Sequence, residues 1–328
     1  MRIVTTENLY SKYNKVQADI EELIKPLNAQ IDVLPANSTC TFIKVHVDAI
    51  TDDVLLLGGN SIVPFWQVQN PTNDSDQSIL SDSPYQCIKD SLYYVPDHVV
   101  TRIPDEEGPN AKFDYLQTVI QNQANYLVNK STNNGFINYT ASVWQGISNY
   151  MRSEFSMSAQ SLCPPVIVSN LNPATINGKK FAYLNLHSGH GLASFYGQNG
   201  AIYPVALNPT PGFFKDTLVF SEACFGGEIT GRDRSNSICL QALFSSCIGF
   251  IGSTCTAYGP ASAPADGADL LFECFMKRIL SGESFGQGLL NGKVDFATQT
   301  MKNLGNVEPS NKKTLLQFYG LGLPGVIL

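Results

Sequence analysis

Two stretches of the chain end an apolar run with a reactive side chain and glycine. One is Phe181-Ala-Tyr-Leu-Asn-Leu-His187-Ser188-Gly189-His190-Gly191. The other is Thr217-Leu-Val-Phe-Ser-Glu-Ala-Cys224-Phe225-Gly226-Gly227. A thiol with its ordinary pKa of ~8.5 is only a few per cent thiolate at neutral pH unless a neighbour helps. An imidazole, near ~6.5, takes or returns a proton there. Cys224 with His187 or His190 is therefore a candidate nucleophile and base for acyl transfer. Glycine lets backbone N–H groups come close to a ligand. The amides of Gly191 and Cys224 are candidate oxyanion donors, a type worth ~3–4 kcal/mol each in other systems. This chemistry needs no metal or organic cofactor.

Such side chains must be held in register by rigid elements. Short apolar runs bounded by glycine or proline predict strands over Arg2–Thr5, Val54–Leu57, Val99–Thr101, Phe136–Tyr139, Val166–Ser169, Phe181–Leu186, Thr217–Ser221 and Gly249–Gly252. Apolar residues at helical spacing predict helices over Glu7–Leu27, Phe113–Val128, Val143–Met157, Ser237–Cys247 and Ala265–Leu280. Cys40–Ile50 fits either type, and the polar stretch Gln67–Ser83 reads as a surface loop. Strands alternating with helices predict an α/β fold with mainly parallel sheets flanked by helices. The Ser/Asn/Gly cluster Lys130–Gly135 divides the pattern into two side-by-side subdomains, 1–132 and 133–328, with both reactive stretches in the second. In open sheets of this kind, sites form at the carboxyl ends of strands.

The 328 residues are 43% hydrophobic, enough for a substantial core, and only 15% charged. A net charge of −7 argues against a nucleic-acid partner, since phosphate-backbone binding needs a basic face. No apolar run reaches the ~18–20 residues of a membrane span. The eight cysteines include no C-x-x-C pair, so a zinc ribbon is not expected, and most read as small buried hydrophobes. The N-terminus lacks the apolar region of a signal peptide, which fits a cytosolic chain, export by another route, or a chain without its leader.

The apolar block before His-Gly, followed by a second before Ala-Cys, resembles the clan of caspase-like cysteine peptidases. Val54-Leu-Leu-Leu-Gly-Gly-Asn-Ser-Ile-Val-Pro64-Phe, Ser81-Asp-Ser-Pro-Tyr85, His98-Val-Val-Thr-Arg102-Ile-Pro104, Ile251-Gly-Ser-Thr254 and the Tyr319-Gly320…Leu323-Pro324 ending resemble its gingipain-type family. The resemblance implies two caspase-like subdomains, the first without catalytic residues and the second with a Cys–His dyad. It makes Cys224 the nucleophile and, because Gly191 follows it, His190 rather than His187 the general acid/base. It places Ser253, Thr254, Tyr258 and Trp144 in the substrate-binding wall. Arg232 and Arg234 fall in the loop after the nucleophile, where caspase-like enzymes are often cleaved during activation. The chain departs from the Arg-specific pattern: Ala141–Tyr150, where an acidic residue would line the S1 pocket, has no Asp or Glu, so a basic P1 preference is not supported.

The expected activity is a cysteine endopeptidase acting on a protein or peptide substrate. A non-catalytic scaffold and a transpeptidase or ligase with the same dyad are the alternatives. Gly320-Leu-Gly-Leu-Pro-Gly325 matches G-x-G-x-x-G but lies too near the chain end to open a helix, so it reads as a C-terminal turn. Asp52-Asp53 and Asp105-Glu106-Glu107 read as solvated loop faces. Structural calcium is compatible with the family, but no D-x-D-x-D-G loop is present. The Asn138-Tyr-Thr sequon falls on an expected buried strand and reads as chance.

Overall fold

A computed structural model describes residues 1–129, 133–304 and 307–328, so part of the expected boundary at Lys130–Gly135 lies outside the described residues. The strands in chain order are β1 (Arg2–Thr6), β2 (Gln30–Leu34), β3 (Val54–Leu57), β4 (Trp66–Gln69), β5 (Ser78–Ser81), β6 (Val100–Ile103) and β7 (Phe136–Ala141). They continue with β8 (Ala159–Cys163), β9 (Phe181–Asn185), β10 (Phe195–Tyr196), β11 (Val205–Leu207), β12 (Leu218–Ser221), β13 (Gly249–Ser253) and β14 (Phe318–Leu321). Ten of them form one sheet in the order β2-β1-β3-β6-β14-β13-β12-β9-β7-β8. Every pairing is parallel except β13 with β14. The expected mainly parallel α/β architecture is what forms, with its two strand sets joined edge to edge.

The joining strand comes from the chain end. β14 lies between β6 and β13, pairing Leu321 with Arg102 on one side and Phe250–Ser253 on the other. The expected C-terminal turn begins only after it. Gly320 packs closely there: a Cβ would stand 3.0 Å from the Phe285 ring and 3.1 Å from Leu289. Central strands are buried on both faces, as their unbroken apolar runs require. Phe220 on β12 stacks on Phe318 of β14 at 5.6 Å and packs edge-on against Phe272 of the helix Gly267–Leu280. The Arg102 side chain is fully buried, held by Asp82 and by the carbonyls of Gly58 and Val63.

Four expectations need correction. Glu7–Leu27 is two helices, Asn8–Tyr13 and Gln17–Ile24, because Asn14 turns left-handed at φ 50° and caps the first. Val166–Ser169 is not a strand. The edge strand is the weakly β-prone Ala159–Cys163, and Pro164-Pro165, lacking N–H donors, end it. Gln67–Ser83 is not all loop: β4 and β5 pair antiparallel as a hairpin with the polar residues at its tip. Asp105 and Glu106 are fully buried, not solvated, because both carboxylates are bonded internally. Asp105 accepts from the Gly59 N–H and from Lys12 at 2.6 Å, and Glu106 from the backbones of Lys112 and Arg234. The helices Phe285–Leu304 and Pro309–Gln317 were not anticipated. Among the described residues, no helix is long and apolar enough to cross a membrane.

Candidate active site

β9 and β12 are neighbours, pairing Phe181–Leu184 with Leu218–Ser221, so the segments after them leave the sheet side by side. Cys224 follows β12 and His190 follows β9, the arrangement expected from the two sequence blocks. All eight cysteines are free, six of them buried, with Cys40 and Cys224 half-exposed. The Cys224 Sγ accepts from the Ala257 N–H at 3.4 Å. Burial pushes its thiol up, against the lowering effect of that N–H, so the resting group is a thiol.

The His190 ring is 79% exposed and turns Nδ1 to Glu228 Oε1 at 2.5 Å. Its other ring nitrogen is free to face a substrate. Cys224 and His190 share no hydrogen bond here, a common state of catalytic pairs without substrate. Glu228, absent from the sequence-derived set, is the third group that orients a base. It also takes the Gly191 N–H at 3.0 Å, so that amide is committed to a carboxylate and not free as an oxyanion donor. The Cys224 N–H donates to no other residue's oxygen among the described residues. His187 is spoken for: its ring packs tilted against Trp144 at 4.1 Å and bonds Gln198 at 2.7 Å, and burial lowers its pKa.

Of the expected wall residues, Trp144 and Tyr258 line a narrow slot of about 40 Å³ beside Cys224. Thr254 lines a separate cavity next to it. Ser253 lines neither, because it is fully buried with its hydroxyl given to the Ala223 and Cys255 carbonyls. The slot has an acidic floor that Ala141–Tyr150 gave no hint of. Glu222 and Asp269 are 7% and 0% exposed; Glu222 Oε1 and Asp269 Oδ2 accept no N–H or hydroxyl of another residue, and the two carboxyls hydrogen-bond each other. Asp269 Oδ1 accepts from Tyr183 at 2.5 Å. Asp269 Oδ2 lies under Gly259, where a Cβ would collide with it, and Glu222 Oε2 stands 3.7 Å from the same point. Glu222 was within reach of sequence reasoning, two positions before Cys224 and so on the same side of an extended chain. Asp269 comes from a distant helix and carried no signal.

Burial raises both carboxyls above their ordinary range, and the approach of Asp269 raises Glu222 further. The folded pair thus holds protons that the unfolded chain has lost. The stabilisation this gives is full below the ordinary carboxylate range (~4) and is lost as pH rises through the raised folded values. Replacing Asp269 with Asn removes one of the two charges, so the fall of the urea midpoint between pH 5 and pH 8 becomes shallower than in the wild type. Parallel curves for the two proteins would rule out a proton-sharing pair.

Arg232 and Arg234, expected as a processing loop, are both packed. Arg232 is 9% exposed and donates to the carbonyls of Gly191 at 2.8 Å, and of Leu192 and Asn236 at 2.5 Å. It clamps the segment that carries His190. Arg234 pairs with Glu106 and Asp114. Residues 105–108 of the first half brace the same loop, through Glu107 and Gly108 N–H bonds to the Arg232 carbonyl at 2.7 Å. Among the described residues, no group of three His, Cys, Asp or Glu side chains is placed to hold a metal ion.

No protein-family model matches the chain, and no curated protein does. Among solved structures it is similar to one described as a protease, with a TM-score of 0.66 at 13% identity, over 100% of this chain and 78% of that one. A weaker likeness, with a TM-score of 0.43 at 8% identity, covers 84% of this chain and 16% of the matched chain in the Saccharomyces cerevisiae separase–securin complex. At 13% identity the first likeness is one of fold: a mostly parallel sheet flanked by helices.

Proposed function

We propose that the protein is a cysteine endopeptidase. The observation that carries this function is the placement of Cys224 and a Glu228-paired His190 just after adjacent parallel strands, beside a slot floored by two buried carboxyls. His190 takes the Cys224 proton, and the thiolate attacks the scissile carbonyl. The Cys224 N–H is one donor to the oxyanion. His190 then returns the proton to the leaving amine, and water, deprotonated by the same ring, releases the acyl group from sulfur. The subdomains 1–132 and 133–328 divide the labour: the second carries the pair, and the first braces it through residues 105–108.

The slot selects the P1 side chain. Its pair of buried carboxyls, ionised on release of their proton, favours a donor-bearing, positively charged group, arginine or lysine, over an acidic one. At about 40 Å³ the slot admits a long side chain only when the half-exposed Trp144 or Tyr258 swings aside. Incubation with a peptide library diverse at P1, with and without an added amine, tests the proposal. Hydrolysis after Arg or Lys, blocked by iodoacetamide at Cys224, is the expected result. Aminolysis products in place of acids would instead identify a transpeptidase. No cleavage with no labelling of Cys224 would leave a scaffold.

Arg232 acts on this reaction as a positioning residue. Arg232→Ala frees the His190 segment, and a misplacement of ~1 Å costs about 10²-fold. The loss is expected in kcat with KM little changed, and Arg232→Lys should recover part of it. A rise in KM alone would place Arg232 in binding instead.

A further inference from the structure

A second cavity, of about 570 Å³, opens on the other side of Cys224 from the slot. Two pairs of consecutive residues divide them. Cys224 and Ala257 line the slot, while Phe225 and Thr256 line the larger cavity. A peptide whose P1 side chain enters the slot must therefore cross that ridge at the scissile bond. His190 lines the larger cavity and not the slot. Since His190 has to reach the leaving nitrogen, the residue that carries this nitrogen lies in the larger cavity.

The far wall of that cavity belongs to the first half of the chain. Phe65, Ser78 and Leu80, from the β4–β5 hairpin and its approach, face Phe225 and Ile229 across it. The hairpin is bolted in place. Asp76 accepts from the Thr256 N–H at 2.9 Å and from Lys313 at 2.6 Å, and Thr254 donates to the Leu80 carbonyl at 2.6 Å. Ser81 donates to the Leu316 carbonyl at 2.5 Å. Asp74, at the hairpin tip, accepts from Tyr258, the slot wall, and from Lys313. The cavity is a preformed feature fixed to both sides of the site.

Its charges are already used. Asp76 is committed to Lys313 and Thr256, and Glu228 to His190, Gly191 and Arg232. The main apolar surface left to contact a ligand is that of the partly exposed Leu80 and Phe225, backed by the buried Phe65 and Ile229 and flanked by the uncharged Ser78, Thr230 and Thr256, within the volume range of pockets that enclose small ligands. We propose that this cavity is the subsite for the first residue after the scissile bond, that it takes a large apolar side chain, and that the first half of the chain thereby contributes directly to substrate selection. The proposal rests on the endopeptidase function above.

The test is a peptide series with P1 fixed at the best library residue and P1′ set to Phe, Leu, Gly, Asp or Lys, with products sequenced by mass spectrometry. Phe and Leu are expected to be cleaved at least about tenfold faster than Gly or Asp, a fraction of one buried apolar side chain's transfer free energy. Leu80→Ala should lower the Phe-to-Gly ratio measured within that variant. Ser78→Trp, which narrows the cavity from its rim, should lower the same ratio and serves if Leu80→Ala fails to fold. Cleavage that persists with a flat P1′ profile overturns the subsite and leaves the endopeptidase standing. So does a ratio unmoved in the folded variants. Absence of any cleavage, with Cys224 unlabelled, removes the endopeptidase function and the subsite with it.

Discussion

Cys224→Ala is expected to reduce peptide cleavage by about 10⁴-fold or more, the scale seen when a covalent nucleophile is removed and only binding and oxyanion contacts remain. The position has no second role to confuse the result. Cys224 is half-exposed, its Sγ contacts only the backbone of Ala257, and alanine fits the space it leaves. The fold should therefore melt as the wild type does. Two of the four histidines pair with a carboxylate, His190 with Glu228 and His46 with Asp32, and of these only His190 follows a strand that neighbours the one before Cys224. His190→Ala should approach the same loss, whereas His187→Ala, which removes the ring packed against Trp144, should act mainly through KM. Cys40 is the internal control: it is the other half-exposed thiol, so labelling that tracks Cys40 and spares Cys224 would contradict the nucleophile assignment. Burial holds the Cys224 thiol above its ordinary value, so labelling without substrate should increase as pH rises past the usual thiol range.

The strands that carry the chemistry were legible because they are buried on both faces. Val54–Leu57, Phe181–Asn185 and Leu218–Ser221 read as apolar runs and occupy central positions. The residues that complete the site were hidden for physical reasons. Asp269 and Arg232 are charged residues that look solvated in sequence and are buried only because distant segments cover them. Asp105 and Glu106 read as loop acids for the same reason, although one anchors the Gly59 turn and the other the Arg234 backbone. The hairpin after Trp66 was obscured by a tip rich in Asn, Asp and Ser. That tip forms its own network around Asn70 and Asp74 and is fixed by Lys313, more than two hundred positions away. Local pattern identifies the sheet and picks out Cys224 and His190 as candidates after two neighbouring strands. Long-range pairing, which no local pattern encodes, supplies the slot floor, the Glu228 carboxylate beside His190 and the far wall of the larger cavity.

The pair Glu222→Gln with Asp269→Asn is expected to lower cleavage after Arg or Lys by about 10²–10³-fold while a neutral P1 residue loses far less. Each charge-assisted hydrogen bond to the P1 cation contributes ~1.5–3 kcal/mol, so two give ~3–6 kcal/mol, and the proton that must first leave the pair holds the net effect to the lower end of that range. The protonation chemistry sharpens the expectation. With both carboxyls raised by burial and by each other, the empty slot holds a proton that an entering cation must displace. Selectivity for Arg over a neutral residue should therefore grow as pH rises from 5 to 8 in the wild type, the opposite direction to the fall in fold stability predicted from the same pair. The double amide, unable to ionise, should show a pH-independent ratio. Because Tyr183 already satisfies Asp269 Oδ1 and an amide oxygen can accept that bond, the substitution keeps the internal contact and changes only the charge that faces the slot. A wild-type ratio that is flat with pH, or a double variant that still prefers Arg, would assign P1 selection to Trp144 and Tyr258 rather than to the acidic floor.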